Sequence, residues 1–195
     1  MSAPEIHLDP LPYTERLELR DPATIDLVVI HCTELPDIAM AREYGERVHY
    51  PATETGNSGH YYVERSGRLQ QWVPLERIAH HVRGYNECSI GVELMNVGRY
   101  PNWLDSRHQA MTEAYPEPQL CSLLELLSLL RSQIPKLHWI AGHEALDTRY
   151  VPATDDPDRR VLRKRDPGPL FPWPRILAES GLAMLSPDSY PSNSD

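Results

Sequence analysis

The sequence predicts an α/β domain in which helices cover a sheet with buried central strands. Residues 26–30 are mostly β-branched or aliphatic, and such a short apolar run is typical of a strand covered on both faces. Residues 117–134 carry seven leucines at helical spacing and form the least ambiguous helix of the chain. Buried strands that alternate with such helices along a chain indicate an α/β architecture.

Length and charge limit the class of protein. The chain of 195 residues has the size of one compact domain, which buries about 70% of its unfolded surface. We expect an N-terminal arm over residues 1–24, a single domain over 25–185 and a disordered polar tail over 186–195. The net charge is −9, and basic residues cluster only at 159–165, directly after acidic residues. This pattern argues against a nucleic-acid partner.

The sequence also bears on the compartment. Its first residues lack a basic segment followed by an apolar core, and no stretch approaches the roughly 20 apolar residues that span a bilayer. The three cysteines are widely spaced and include no CxxC pair, which is typical of reduced thiols in a cytosol. We therefore expect a cytoplasmic monomer with no membrane partner.

The first half of the chain predicts two strand regions and one surface helix. The arm, with four prolines, is expected to be extended with one short strand at 16–19. The strand over 25–30 delivers His31 at its end. Residues 35–48 have apolar side chains at helical spacing, with Pro36 in the first turn. Two strand-like runs then flank Arg65-Ser66-Gly67, which predicts a β-hairpin.

The middle of the chain holds an unusual carboxylate. Residues 75–87 are irregular and polar, and a strand is predicted over 89–95. Glu93 interrupts that apolar run, and burying a carboxylate costs several kcal/mol unless it meets a cation, a metal or donors. A site role is therefore favoured over a glutamate that faces solvent from a half-exposed strand. Residues 99–115 predict a loop that lines a cleft or covers the core.

The second half repeats the pattern of a strand that ends in a histidine. Residues 137–141 predict a buried strand, and His143 follows it. Residues 147–165 are charged and have no apolar period. Asp166 begins an Asp-Pro-Gly-Pro turn that its prolines stiffen. Residues 174–184 predict the last helix.

His31, His143 and Asp166 each lie at a strand end or in a rigid turn, where their side chains can converge on one point. Two imidazoles and a carboxylate suit zinc, and three protein ligands leave a fourth position open, as in catalytic sites. The spacing of these three residues in the sequence leaves two alternatives to a metal site open. His31 can be a strand-end histidine bonded to a loop, and His143 can pair with Asp147 on a helix.

Six motifs between residues 25 and 173 resemble the zinc-dependent N-acetylmuramoyl-L-alanine amidases of the AmpD type, which are related to phage lysozyme-like amidases and peptidoglycan recognition proteins. In chain order they are VVIHCTE, GHYYVERSG, QQWVP, GYNECSIGVEL, AGHEALD and RKRDPGPLFPW. The resemblance implies a central mixed β-sheet flanked by helices. It also implies hydrolysis of the lactyl amide bond between N-acetylmuramic acid and L-alanine, in peptidoglycan or in soluble anhydro-muropeptides.

The resemblance implies roles for individual residues. It makes His31, His143 and Asp166 the ligands of one zinc ion per chain, Glu93 the catalytic carboxylate, and Lys164 the cation facing the water at the metal. We expect four further residues to contact the muropeptide: His81, Arg83, Tyr85 and Asn86. The basic run 159–165 either adds anchors for substrate carboxylates or is a solvated loop neutralised by the acidic residues 155–158.

Two features depart from the family pattern. Some relatives place a catalytic tyrosine before the hairpin histidine, whereas Gly59 precedes His60 here, so catalysis would use Glu93 while His60 packs in the hairpin. The segment between His143 and Asp166 is longer than in the shortest relatives. Two rival functions are a non-catalytic peptidoglycan- or muropeptide-binding module and a zinc hydrolase of ordinary peptides, because a fold alone does not define an activity.

Overall fold

A computed structural model describes residues 4–185, which form nine strands and four α-helices. The strands are β1 (Ile6–Leu8), β2 (Leu27–Cys32), β3 (Tyr61–Val63), β4 (Leu69–Gln71), β5 (Ser89–Leu94), β6 (Trp139–Gly142), β7 (Tyr150–Pro152), β8 (Arg160–Leu162) and β9 (Ala183–Met184). The α-helices are α1 (Ile38–Glu46), α2 (Glu117–Gln133), α3 (His143–Leu146) and α4 (Trp173–Ser180). Short 3-10 helices lie at Thr14–Arg16 and Pro22–Thr24.

Seven of these strands form one mixed sheet in the order β1-β4-β3-β5-β2-β6-β9. The neighbours are parallel except for the antiparallel hairpin β3–β4. Strands β7 and β8 pair with each other as a separate antiparallel hairpin. The central mixed sheet flanked by helices confirms the predicted fold class.

Successive side chains of β2 point to opposite faces of the sheet. Val28 and Ile30 lie in one apolar cluster with the five buried leucines of α2. Leu27 and Val29 point to the opposite face and belong to a second, smaller cluster. Because side chains alternate along a strand, His31 follows them on this second face.

The leucine cluster of α2 is expected to dominate stability. Leu126 is fully buried among its neighbours, and truncating a buried leucine to alanine costs about 2–5 kcal/mol, because it leaves a cavity as well as removing apolar contacts. We expect Leu126→Ala to lower the free energy of unfolding by this amount in urea titrations. Glu125→Ala, at an exposed position of the same helix, is the control and should change it little. Equal effects of the two substitutions would contradict the assignment of this face to the core.

Most predicted elements are found, including the hairpin at residues 65–67, but the arm differs from its prediction. Its strand lies at Ile6–Leu8, where β1 pairs in parallel with β4, and not at residues 16–19. Leu11, Tyr13 and Leu17 are buried against the cluster around Trp72. The chain turns through a 3-10 helix to bury them, so residues 16–19 make only one isolated bridge, from Leu19 to Arg77.

The end of the chain also differs from its prediction. Helix α4 stops at Ser180 because Gly181 adopts a left-handed conformation with φ of 64°. Residues 183 and 184, predicted to be helical, instead form β9 beside β6. The hairpin β7–β8 escaped prediction because, of its two three-residue strands, only Val161 is buried. The expected disordered tail at 186–195 lies outside the described residues.

Within residues 4–185, no helix combines the length and the apolar character needed to cross a bilayer. The longest, α2, has 17 residues. It packs with one face against the sheet through its buried leucines.

Candidate active site

Three neighbouring parallel strands bring the predicted site residues to one edge of the sheet. The register of β2 and β5 pairs His31 with Glu93. His143 directly follows β6, as the first residue of α3. Since parallel strands β2, β5 and β6 end at the same edge, these three side chains meet at one end of a shared cavity.

Asp166 reaches the strand ends from the turn that follows β8. The backbone N–H of Glu144 donates to the carbonyl of Asp166 over 3.0 Å, and the hydroxyl of Tyr115 donates to the carbonyl of Pro167 over 2.7 Å. A Cβ at Gly142 would lie 2.8 Å from Cδ of Pro167. The glycine before His143 therefore lets the Asp166 turn close directly onto β6.

His31, His143 and Asp166 form a compact buried group that could hold a metal ion. Their exposed fractions are 2%, 2% and 3%. One oxygen of Asp166, Oδ2, lies 2.9 Å from Nδ1 of His31 and 3.1 Å from Nδ1 of His143. Among the described residues, Nε2 of His143 and Oδ1 of Asp166 are buried without a hydrogen-bond partner. Two histidine nitrogens and a carboxylate thus converge on one point.

The donor set fits a small tetrahedral cation. Zinc bonds of 2.0–2.2 Å to imidazole nitrogen and carboxylate oxygen place tetrahedral ligand atoms about 3.3 Å apart, and the two spacings to Asp166 Oδ2, 2.9 and 3.1 Å, come within a few tenths of this. Burial lowers the pKa of His31 to about 4. Burial would raise the pKa of Asp166, but His143 and His31 hold it well below its usual value. A neutral imidazole and an ionised carboxylate are the forms that bind metals.

Glu93 and Lys164 line the same cavity. Burial raises the pKa of Glu93 to about 8, repulsion from Asp166 adds to the shift, and Lys164 opposes it. Within residues 4–185 Lys164 makes no ion pair, while the neighbouring Arg163 is paired with Asp147 over 2.6 Å. Lys164 is thus a cation that the protein leaves available to a ligand.

The cavity has a volume of about 560 Å³ and extends away from the His-His-Asp group toward α1. Tyrosine, histidine and amide side chains line its far part, among them Tyr44, Tyr50, Asn57 and His80. Arg83 and Arg163 add positive charge to the lining. This mixture of aromatic and polar groups suits a ligand with polar and apolar faces.

Of the four predicted substrate residues, His81 and Arg83 line the cavity, whereas Tyr85 and Asn86 do not. The side-chain oxygen of Asn86 accepts hydrogen bonds from the backbone N–H groups of His81 and Val82 over 3.0 and 2.8 Å. Tyr85 packs beside the second apolar cluster. Both residues therefore shape the loop that presents His81, and neither faces the cavity.

Asp147 does not pair with His143. Its carboxylate accepts hydrogen bonds from Arg149 and Arg163, and both arginines contribute to a pKa below its usual value, with Arg149 the larger cause. Arg159 pairs with Asp156 over 3.3 Å. Of the basic run 159–165, Arg163 and Lys164 line the cavity and the remaining members do not.

Sequence reasoning missed a buried ion pair beside the site. Both oxygens of Glu34 accept hydrogen bonds from the guanidinium of Arg99, over 2.7 and 2.8 Å. Arg99 also donates to the carbonyl of Leu162 over 3.0 Å. The pair ties the end of β2 to the segment that carries Lys164 and Asp166. Glu34 is the last residue of the motif VVIHCTE, and its position there could have indicated a role near the site. Nothing in the sequence distinguishes Arg99 from other loop arginines.

The mixed sheet with a buried His-His-Asp group at its strand ends defines an α/β protein with a candidate metal centre. The model of the Amidase_2 family, described as N-acetylmuramoyl-L-alanine amidase, matches residues 21–169. The chain belongs to this family.

The chain also resembles individual proteins. The 1,6-anhydro-N-acetylmuramyl-L-alanine amidase AmpD of Haemophilus influenzae is 28% identical over 180 residues, which cover 81% of this chain and 84% of that protein. The endolysin amidase LysCS from Clostridium intestinale superposes with a TM-score of 0.66 at 17% identity, over 93% of this chain and 99% of that one.

A third relative was solved with a ligand. AmiD from E. coli, in a complex with anhydro-N-acetylmuramic acid-L-Ala-D-gamma-Glu-L-Lys, superposes with a TM-score of 0.58 at 23% identity, over 82% of this chain and 58% of that one. At these identities the two superpositions establish the shared fold.

Proposed function

We propose that the protein is a zinc-dependent amidase that hydrolyses the bond between the lactyl group of N-acetylmuramic acid and L-alanine in soluble muropeptides. The observation that carries the proposal is the buried His31, His143 and Asp166 group in one cavity with Glu93 and Lys164. Membership of the N-acetylmuramoyl-L-alanine amidase family supports the reaction type.

His31, His143 and Asp166 would hold one zinc ion, through the three atoms that converge in the structure. When bound there, zinc supplies Lewis acidity toward a water and a carbonyl oxygen. Asp166 would thereby gain the positive partner that a buried carboxylate needs. The remaining chemistry belongs to the side chains around this group.

Glu93 would move the proton. Its carboxylate takes a proton from the attacking water and returns it to the nitrogen of L-alanine as the amide C–N bond breaks. The products are the free lactyl carboxylic acid and the free amine of the stem peptide. A pKa raised by burial suits both halves of this cycle, because a general acid-base group works best with a pKa near the operating pH.

Lys164 would stabilise the negative charge that develops on the carbonyl oxygen during attack. It lines the cavity, and its charge acts there on Glu93 and Asp166. A preorganised charge in a site that excludes water acts more strongly than in bulk solvent. The contribution of Lys164 should therefore appear mainly in the transition state.

Lys164→Met tests this role, because it keeps an unbranched side chain that is only one atom shorter and removes its charge. We expect kcat to fall about a hundredfold, the usual scale for one oxyanion-stabilising group, with little change in KM or in zinc content. Steady-state kinetics on a muropeptide measure both constants. Lys136→Met, at an exposed position, is the matched control. A rise in KM at unchanged kcat would instead make Lys164 a substrate clamp.

The preferred substrate would be a soluble anhydro-muropeptide, met by a monomeric enzyme in the cytoplasm. The names of AmpD and of the AmiD ligand both specify the anhydro sugar. Arg83 provides positive charge for the carboxylates of a stem peptide. None of the cysteines in the described chain forms a disulfide, which agrees with a reducing compartment.

The decisive experiment offers purified zinc-loaded protein three substrates: an anhydro-muropeptide, intact peptidoglycan sacculi and an ordinary peptide. Release of a stem peptide beginning with L-alanine is followed by mass spectrometry. We expect fast cleavage of the anhydro-muropeptide. Faster cleavage of sacculi would contradict the soluble substrate, and cleavage of the ordinary peptide would contradict the amidase assignment. Binding without cleavage would favour a muropeptide-binding module.

A further inference from the structure

A chain of hydrogen bonds leads from the candidate metal group to the backbone of the 80–88 loop. The second ring nitrogen of His31, Nε2, lies 3.0 Å from Nδ1 of His81. Nε2 of His81 lies 3.3 Å from the hydroxyl of Ser89. That hydroxyl lies 2.6 Å from the carbonyl oxygen of Tyr85.

The donor in each of these hydrogen bonds follows from which groups can donate and which can only accept. The carbonyl of Tyr85 only accepts, so the single hydroxyl hydrogen of Ser89 points to it. The lone pair of Ser89 then faces Nε2 of His81, which must carry a hydrogen. In a neutral imidazole the other nitrogen accepts, so Nδ1 of His81 receives the Nε2 hydrogen of His31. With Nε2 of His31 bonded to His81, Nδ1 is the ring nitrogen whose lone pair a metal ion can use.

That lone pair faces Asp166. Nδ1 of His31 lies 2.9 Å from Oδ2 of Asp166, on the side of the ring where the three candidate ligands converge. The hydrogen-bond chain therefore prepares the site for a metal ion.

We infer that His81, oriented by Ser89, is a positioning residue that holds His31 in the tautomer whose Nδ1 faces the metal. The inference rests on the proposed zinc site and gives His81 a role other than the substrate contact predicted from the sequence. Histidine ligands commonly donate their second N–H to an outer partner, which orients the ring and raises its basicity. Here that outer partner is a second histidine.

The surroundings hold the ring of His81 in place. A Cβ at Gly91 would lie 2.6 Å from Cγ of His81, so the ring packs directly on the backbone of β5 because position 91 has no side chain. The side-chain oxygen of Asn86 accepts a hydrogen bond from the backbone N–H of His81 over 3.0 Å. The ring is therefore fixed by its backbone, its packing and both of its nitrogens.

Zinc affinity is the first test, measured in competition with a chromophoric chelator. His81→Ala is expected to weaken zinc binding about 10- to 100-fold, the usual loss for an outer partner of a metal ligand. His81→Asn keeps an acceptor close to the position of Nδ1 and should restore most of the affinity. His138→Ala removes an exposed histidine and should have no effect. Wild-type affinity in His81→Ala, or no recovery in His81→Asn, would overturn the inference.

The second test reads the tautomer directly, by NMR of the ring nitrogens in 15N-histidine-labelled protein. We expect His81 to carry its hydrogen on Nε2, and this preference to be lost in Ser89→Ala. A hydrogen on Nδ1 of His81 would overturn the inference. The measurement needs no metal, so it remains a valid test of the inference even when the wild-type protein binds no zinc. Failure to bind zinc would refute the proposed function instead. The NMR test is also valid when His81→Ala does not fold, because it does not use that variant.

Discussion

Replacing Asp166 with alanine is expected to empty the metal site and abolish amide hydrolysis. Asp166 contributes the one oxygen that both imidazoles approach, and its negative charge offsets the charge of a divalent ion in a buried place. Losing an outer partner of a ligand already costs 10- to 100-fold in affinity, so losing the ligand itself should cost more than about a hundredfold. Metal analysis after dialysis and chelator competition measure the loss.

Asp147→Ala is the matched control for Asp166→Ala. Asp147 lies four residues beyond His143 and is also buried, but its carboxylate pairs with Arg149 and Arg163. We expect this variant to keep its zinc, with some loss of stability from the two unpaired arginines. A protein that loses zinc with Asp147→Ala and keeps it with Asp166→Ala would show that the proposed ligand set is wrong.

Glu93→Gln is expected to retain zinc and fold but to lower turnover at least about a hundredfold, the usual minimum for a general acid-base group. The amide has nearly the shape of the carboxylate and cannot accept the proton of the water. The pKa of Glu93 is about 8 without metal, and a bound cation lowers it. In the wild-type enzyme kcat/KM should therefore rise with pH as Glu93 loses its proton, and level off below pH 8. The rise should vanish in the variant. Turnover like that of the wild type would remove Glu93 from the mechanism.

The same substitution has a predicted effect on stability. The pKa of Glu93 is raised from 4.5 to about 8 in the folded protein, so between these values the folded state binds more protons than the unfolded chain. The stability of the metal-free protein therefore falls as pH rises through this window. Without metal, Glu93→Gln should unfold at a higher temperature than the wild type at pH 8 and at nearly the same temperature at pH 4. Scanning calorimetry at the two pH values measures this.

The sequence predicted the parts of the fold in which local pattern and burial agree. Strand β2 is a short apolar run and α2 a leucine-rich one, and both are found where expected. The hairpin β7–β8 and the arm strand β1 are short and mostly exposed, so no apolar pattern marks them in the sequence. The partner of β1 is also distant in sequence, since β1 pairs with β4. A prediction from composition misses such elements.

The residues of the candidate site also fall into those that local sequence predicts and those that it does not. The place of Glu93 in the cavity was predictable because a carboxylate in an apolar strand requires a partner. The places of the two histidines were predictable because His31 lies at the end of a buried strand and His143 directly follows one. Ser89 and Arg99 have no such local signal. Their roles depend on distances to His81 and to Glu34, across many residues of sequence. Only the folded arrangement shows that Asn86 turns toward the backbone instead of the cavity.

The alternation of side chains along β2 makes the protein intolerant of a change in the register of this strand. Ile30 belongs to the leucine cluster, and its neighbour His31 belongs to the site on the other face. A slip of β2 by one residue would bury the imidazole among leucines and place an isoleucine beside Glu93. Deleting one residue within β2 should therefore abolish folding and metal binding together, whereas a deletion in the exposed tip of the β7–β8 hairpin should be tolerated.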